Sequence, residues 1–345
     1  MIILAVETSC DDTGISLIEV KNSKINILSN VISSQVKIHR KYGGVFPGLA
    51  KREHQKNLPI VLKKALAEAK NPKIDLIAVT RGPGLEPCLW TGFNFVKELA
   101  EKLKKPLVLV NHIESHILVN WLELKNKKDI FPAIALAVSG GHTVLILMRG
   151  IGKYKIIGET RDDAAGECFD KVARILEIGY PGGPIIDKKA EEWGDRDMPP
   201  KFKIELPRPM IYQKNYDFSF SGLKTAVLYE FRSKSSRIRK SKDYIAEMCF
   251  EVQRAIIDVL IKKTMKAAKD FRVRSVILGG GVVANRGLRK RFEKTGAELG
   301  LRVIYPSAGY CTDNAVMTAI TAFSHREKKT KNWKTIKVNA NLKIE

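Results

Sequence analysis

Two histidines four residues apart, His112 and His116 in the run NHIESH, are the side chains in this sequence whose spacing most directly suggests chemistry. On a helix, that spacing puts both imidazoles on one face a turn apart, where they can share a cation. The alternative is a histidine pair on an exposed helix face. Leu107 to Val110, just before the pair, predicts an apolar strand, and open α/β sheets place ligands past the carboxyl ends of their strands. A glutamate lies between the histidines, but the order is His-x-Glu-x-His and not the His-Glu-x-x-His of zinc proteases. Glu114 stands two residues, about 200° of helix, from each histidine and is expected to point away from a shared ion.

A second stretch suggests anion chemistry. Ala133 to Val138 and Val144 to Met148 predict strands joined by Ser139-Gly140-Gly141-His142-Thr143. Paired glycines beside small hydroxyls let backbone N–H groups converge on an anion, although a plain hairpin turn uses the same residues. Gly279-Gly280-Gly281 follows a predicted strand, Ser275 to Leu278, and precedes Asn285 and a helix from Leu288. Three glycines at such a junction let an adenosine or its phosphate lie against the backbone. Asp170 and Asp187, with Gly182 and Gly183 between them, are placed to present carboxylates to a ribose, whereas Asp162 and Asp163 read as helix caps. Asp313, in CTDNA, opens a further helix and either caps it or offers the histidines a third ligand.

The elements that position these residues repeat a pattern. Ile2 to Val6, the acidic turn Glu7-Thr8-Ser9-Cys10-Asp11-Asp12-Thr13-Gly14, and Ile15 to Val20 spell strand, turn, strand, as the SGGHT unit does later. Two such hairpins separated by an α/β segment predict a duplicated α/β fold of two lobes with a nucleotide cleft between them, as in the actin and sugar-kinase ATPases. The expected division is an N-terminal lobe over 1–110 with a returning helix about 307–328, a C-terminal lobe over 111–306, and a basic tail over 329–345. Asp11 in the first turn is the candidate catalytic carboxylate. His39 to Pro47 predicts a loop and Leu49 to Lys70 a helix, with His54 left unassigned between a ligand and a surface or substrate-contact residue. Residues 194–224 predict irregular structure, and Arg232 to Lys242, with six basic residues in eleven, a solvated linker or a polyanion contact.

Composition narrows the class. A length of 345 residues and 44% hydrophobic content suit two globular domains of ordinary size. The net charge of +23 and a pI near 9.7 favour a polyanionic partner, nucleic acid first, unless a lysine-rich genome raises the charge indiscriminately. Five scattered cysteines without a Cys-x-x-Cys pair are expected to be reduced thiols. The start, MIILAVETSCDD, lacks the basic region of a signal peptide, so a cytoplasmic location is expected. The apolar run Phe131 to Met148 is interrupted by Pro132 and Ser-Gly-Gly-His, which excludes a membrane span there.

Taken in order, ETSCDDT, HRKYGGVFP, GPGL, HIESH, SGGHT, DDAAGECFDKVAR, YPGGP, FSFSGLKTA, GGGVVAN and CTDNA resemble the universal tRNA threonylcarbamoyladenosine transferase family, and within it the bacterial TsaD branch. The motifs run from residue 7 to residue 315. The resemblance implies an actin-like ATPase (ASKHA) fold and transfer of a threonylcarbamoyl group from threonylcarbamoyl-adenylate to the adenosine beside the anticodon of tRNAs reading codons that begin with A. It implies one divalent metal per subunit, Fe(II) or alternatively Zn(II), on His112, His116 and Asp313. It also implies an adenylate or ATP-like ligand on Ala137, Val138, Ser139, Gly140, Gly141, Asp170, Gly183, Asp187 and Asn285. The implied partners are tRNA, a TsaB-like paralogue and a TsaE-like ATPase, with no membrane. Three positions depart from the family's usual pattern: Gly48 replaces a glutamate, Ser115 a glycine, and Thr91-Gly92-Phe93 a Val-Gly followed by smaller residues. The rival classes are a metalloprotease of glycoproteins and a non-catalytic actin-like ATPase scaffold.

Overall fold

The computed structural model describes all residues except 23, 125–128, 195–198 and 334. The chain forms two compact units, Met1–Lys127 with Thr312–Ile344, and Lys128–Cys311 with Glu345.

The first unit is built on a mixed sheet. Strands β1 (Ile2–Glu7), β2 (Asp12–Lys21) and β3 (Lys24–Ser34) form an antiparallel meander, and β4 (Leu76–Gly82) and β5 (Leu107–Asn111) extend it in parallel beyond β1, giving the order β3-β2-β1-β4-β5. Alternation sorts the faces of β1. Leu4 and Val6 pack with Leu58 of the helix Pro47–Glu68 and Phe93 of the helix Glu86–Leu103. Glu7 points the other way, toward Thr318 of the terminal helix Ala315–Ser324.

The second unit repeats the plan. Strands β6 (Ala133–Val138), β7 (Thr143–Gly150) and β8 (Lys153–Glu159) form a meander, and β9 (Ser275–Gly279) and β10 (Arg302–Ile304) lie parallel to β6, in the order β10-β9-β6-β7-β8. Strand for strand this is the order of the first sheet, so the duplicated α/β architecture expected from the two hairpins is present. The core is dominated by the helix Lys242–Asp270, whose Tyr244, Met248, Val252, Ile256 and Leu260 recur at helical spacing and are buried.

Several local expectations change. The first half of the loop over 39–47 is helical, Val36–His39 followed by a 3₁₀ turn Arg40–Tyr42, and His54 is wholly buried. Ser221–Ser233 is a helix where irregular structure is expected through residue 224; the part of that stretch over 195–198 lies outside the described residues. The basic run is no linker: it spans the end of that helix, a short helix Ser236–Arg239 and the start of Lys242–Asp270. Two of its serines cap helices, Ser235 accepting from Ile238 N and Ser241 from Tyr244 N. Ile238 packs on the core and the Arg239 guanidinium lies 5.6 Å from the Phe231 ring centroid. Nor do Asp162 and Asp163 cap the helix that follows them, Ala165–Ile175. Asp162 accepts instead from Phe220 N and Ser221 N, and Asp163 pairs with Lys171 and Lys224. No helix among the described residues is long and apolar enough to cross a membrane.

Candidate functional site

The histidine pair is positioned by an asparagine. Asn111 ends β5, and its side-chain oxygen accepts from Ile113 N and Glu114 N at 2.8 and 3.1 Å, so a helix, His112–Leu118, begins immediately. Both imidazoles are buried, with ring centroids 4.6 Å apart and planes at 82°. Their Nε2 atoms converge on Asp313 Oδ1, at 3.6 Å from His112 and 3.1 Å from His116. One ligand atom from each of the three residues lies within 4.8 Å of the others. Asp313 is not the helix cap, because Asn314 holds that place by accepting from Met317 N. Glu114 stays apart, its Oε1 2.7 Å from His325 Nε2.

Behind His112 stands a residue that the spacing argument misses. Glu7 is fully buried, with Oε2 3.5 Å from His112 Nδ1, and Ser9 Oγ lies 3.1 Å from the same nitrogen. The carboxylate is itself fixed, accepting from Ser9 N at 2.7 Å and from the hydroxyls of Thr80 and Thr318. A carboxylate on the far nitrogen of an imidazole holds the tautomer whose other nitrogen faces a metal. Burial opposes a charge on His112, but Asp313 and Glu7 outweigh it and push the group up to about 9. Burial likewise opposes a charged Glu7, and His112 more than offsets it, holding that carboxyl below its usual range. The available signal was a glutamate ending an otherwise apolar strand.

Two aspartates of the acidic turn feel the charge of the same cluster. Asp11 is half-buried, and burial, then the charge of Asp313, raises its pKa. Burial pushes Asp12 up to about 7, against a hydrogen bond from Ser34, and its Oδ1 has no partner among the described residues. A group of carboxylates that raise one another's pKa lowers its free energy by taking up a cation. Buried His54 braces this turn: its Nε2 lies 3.0 Å from Cys10 O and its Nδ1 2.8 Å from Thr13 Oγ1.

In the second unit, glycines set the geometry. The loop after β6 closes through Ser139 N to His142 O at 2.8 Å and His142 N to Ser139 Oγ at 3.2 Å, leaving Gly140 and Gly141 exposed. Gly166 lets its helix approach that loop, since a Cβ there would lie 2.8 Å from Gly140 Cα. Gly280, at φ +100°, brings the turn after β9 against the Val138 carbonyl. Ala137 lies between β7 and β9, paired with Val144 and Gly279 and almost wholly buried. Asp170 accepts from Gly182 N at 2.7 Å, next to Gly183, where a Cβ would meet nothing within 4 Å. Asp187 accepts from Arg286 N at 3.3 Å, and the preceding residue, Asn285, caps its helix through Leu288 N at 2.8 Å while donating to Gln253 Oε1. Gln253, on the long helix, is a second residue that local pattern alone does not reveal. The metal-ligand candidates thus all belong to the first unit and the adenylate candidates to the second.

Two solved structures share this plan. Full-length HypF in its phosphate- and nucleotide-bound form is similar with a TM-score of 0.58, at 13% identity over 94% of this chain and 46% of that one. The ADPNP-bound activator of 2-hydroxyisocaproyl-CoA dehydratase from Clostridium difficile reaches 0.51, at 15% identity over 95% and 96% of the two chains. At such identities the likeness defines the fold, which is that of the actin-like ATPases. Sequence then narrows the class. The model of the TsaD family, tRNA N6-adenosine threonylcarbamoyltransferase, matches residues 26–320. Relatives of that name are 46% identical over the full length of both chains in Thermosipho africanus, and 42% identical over 100% of this chain and 98% of the relative in Clostridioides difficile. The chain belongs to this family of transferases.

Proposed function

We propose that the protein transfers a threonylcarbamoyl group from threonylcarbamoyl-adenylate to the N6 amine of the adenosine 3′ to the anticodon, in tRNAs reading codons that begin with A. The observation that carries this reading is the convergence of buried His112 and His116 with the partly exposed Asp313, in a member of this family. Two imidazoles and a carboxylate fill only part of a coordination sphere, and this mixed set fits Fe(II), the ion we favour, or Zn(II). Bound there, the ion supplies positive charge beside the oxygens on which negative charge develops.

The chain's own residues have separate tasks in this scheme. The backbone N–H groups of Gly140 and Gly141 hold the adenylate phosphate, Asp170 and Asp187 hold the ribose, and Gly183 and Asn285 leave room for and orient the nucleoside. Ala137 and Val138 form the strand end on which that loop is built, and Ser139 closes the loop. As the N6–C bond forms and the bond from the carbamoyl carbon to the phosphate oxygen breaks, AMP leaves and Asp11 accepts the proton from N6. The family resemblance supports a cytoplasmic assembly with a TsaB-like paralogue and a TsaE-like ATPase. Reconstitution with the TsaB-like and TsaE-like partners, tRNA, threonine, bicarbonate, ATP and a donor-making synthase, read by nucleoside mass spectrometry, tests the scheme. The modified nucleoside is expected with the wild-type protein and not with His112→Ala; glycoprotein cleavage that His112→Ala abolishes would overturn it in favour of a protease.

A further inference from the structure

The 3₁₀ turn Arg40–Tyr42 and the start of the helix Pro47–Glu68 carry an exposed aromatic pair. Tyr42 is 54% exposed and Phe46 59%, and the rings stack with centroids 6.1 Å apart at 30°. Single exposed apolar residues are ordinary, but two rings in contact with water over more than half their surface are not.

Their backbone is held from beneath. Phe46 N donates to Nδ1 of buried His39 at 3.3 Å, and His39 Nε2 lies 3.1 Å from Gln35 Oε1, also buried. Gly43, at φ +65°, closes the 3₁₀ turn just after Tyr42. The rings are therefore presented on a fixed frame, which lowers the entropy lost when a partner stacks on them.

The surroundings are basic. From Val36 to Lys56 the chain has six lysines and arginines against a single acid, Glu53. Lys41 Nζ lies 5.0 Å from the Tyr42 centroid, and Lys51 and Arg52 are exposed on the first turns of the helix. Protein interfaces keep charge away from their aromatic centres, whereas sites for single-stranded nucleic acid combine rings for the bases with cations for the phosphates. We propose that Tyr42 and Phe46 form a stacking platform for an unpaired base of single-stranded RNA, with Lys41, Lys51 and Arg52 holding its backbone. The assignment deepens the transferase reading, on which it rests only for the identity of that RNA as tRNA.

The test uses the full-length protein and two fluorescent RNAs, a hairpin with an unpaired loop and a fully paired duplex, titrated at several salt concentrations. Tyr42→Ser with Phe46→Ser is expected to weaken hairpin binding about tenfold or more, leaving duplex binding and the salt slope unchanged. Lys41→Ser, Lys51→Ser and Arg52→Ser together are expected to flatten the slope by roughly one unit for each phosphate left without its cation. The control removes the same charge elsewhere, through Arg232→Ser, Arg237→Ser and Lys240→Ser, and is expected to change the slope less. Hairpin binding unaltered by the aromatic double variant would overturn the proposal and mark the face as one for a protein partner. A control triple that matches the patch triple would overturn it too, by showing that total charge alone acts. Both rings are exposed, so equal melting temperatures are expected and keep the comparison on folded protein. Wild-type protein that binds the hairpin through these rings but forms no modified nucleoside would count against the transferase reading and leave the platform standing.

Discussion

Residues 8–13 and 139–142 lie between the innermost ladder partners of the first hairpin in each of two sheets with the same strand order, yet one stretch carries two aspartates and the other two glycines. Six residues separate Glu7 from its ladder partner Gly14, whereas four separate Val138 from Thr143. Other elements hold side chains of the longer stretch: Thr8 Oγ1 donates to Cys88 O at 3.0 Å, and Thr13 is bound to His54. The shorter turn is closed by its own atoms and shows bare backbone, since a Cβ on Gly140 or Gly141 would meet nothing within 4 Å. One strand-turn-strand unit has thus been turned to opposite charges by residue type. In the function proposed above, carboxylates make the first turn a neighbour for a cation, and exposed glycine backbone makes the second a cradle for an anion.

That division of labour can be broken most severely at the cation. His116→Ala with Asp313→Ala removes two of three candidate ligands, and metal affinity is expected to fall by more than the 10- to 100-fold that changes behind a ligand produce. Elemental analysis after purification reads the outcome. Binding of AMP, read by calorimetry, is expected to be unchanged, and full metal occupancy in the double variant would place the ion elsewhere.

The converse change is made at Gly280, whose φ of +100° and approach to the Val138 carbonyl exclude a side chain. Gly280→Ala is expected to strain the second unit by about 1–3 kcal/mol and to weaken AMP binding in proportion. Metal content should stay at the wild-type value. A joint loss of both ligands in this variant would show that the two turns do not act separately.

Glu7→Gln sharpens the comparison within the first turn. The amide keeps the shape of the side chain but not the charge facing His112 Nδ1, so metal affinity is expected to drop by about 10- to 100-fold. A chelator competition measures it. An unchanged affinity would reduce Glu7 to a packing residue.

Much of this contrast was legible in the residues. The histidine spacing, the glycine turns and the paired hairpins each depend on neighbours close in sequence, and local pattern captures such features. The edge strands β3 and β8 were not, because KINILSNVISS and KYKIIGE mix exposed polar residues with short apolar runs. Glu7 facing His112 across 105 positions and Gln253 facing Asn285 across 32 are products of topology that no window along the chain contains. The helices in the basic run were hidden for a different reason: six basic residues in eleven leave no apolar stripe, and the caps at Ser235 and Ser241 are recognised only once the partner N–H is known.

The smallest expected effect concerns how the two turns are held, and it depends on pH. Burial opposes a charge on His54 and lowers its pKa below the usual 6.5. The unfolded chain therefore binds a proton that the folded chain refuses, so the stability His54 contributes is fully present above 6.5 and is lost as pH falls through its folded value. The slope cannot exceed one proton, about 1.4 kcal/mol per pH unit. The turn over 139–142 is closed by backbone and serine atoms that do not titrate in this range. Hydrogen exchange corrected for the intrinsic rate should then show amides 8–13 losing protection between pH 7 and pH 5 while the bonded amides of Ser139 and His142 keep theirs. His54→Gln retains one donor and one acceptor for Cys10 and Thr13 but cannot titrate, so it is expected to begin less protected and to change less with pH. If the variant lost protection with acid as steeply as the wild type, the titrating group would have to be another member of the acidic turn, and His54 would be a brace without a pH dependence of its own.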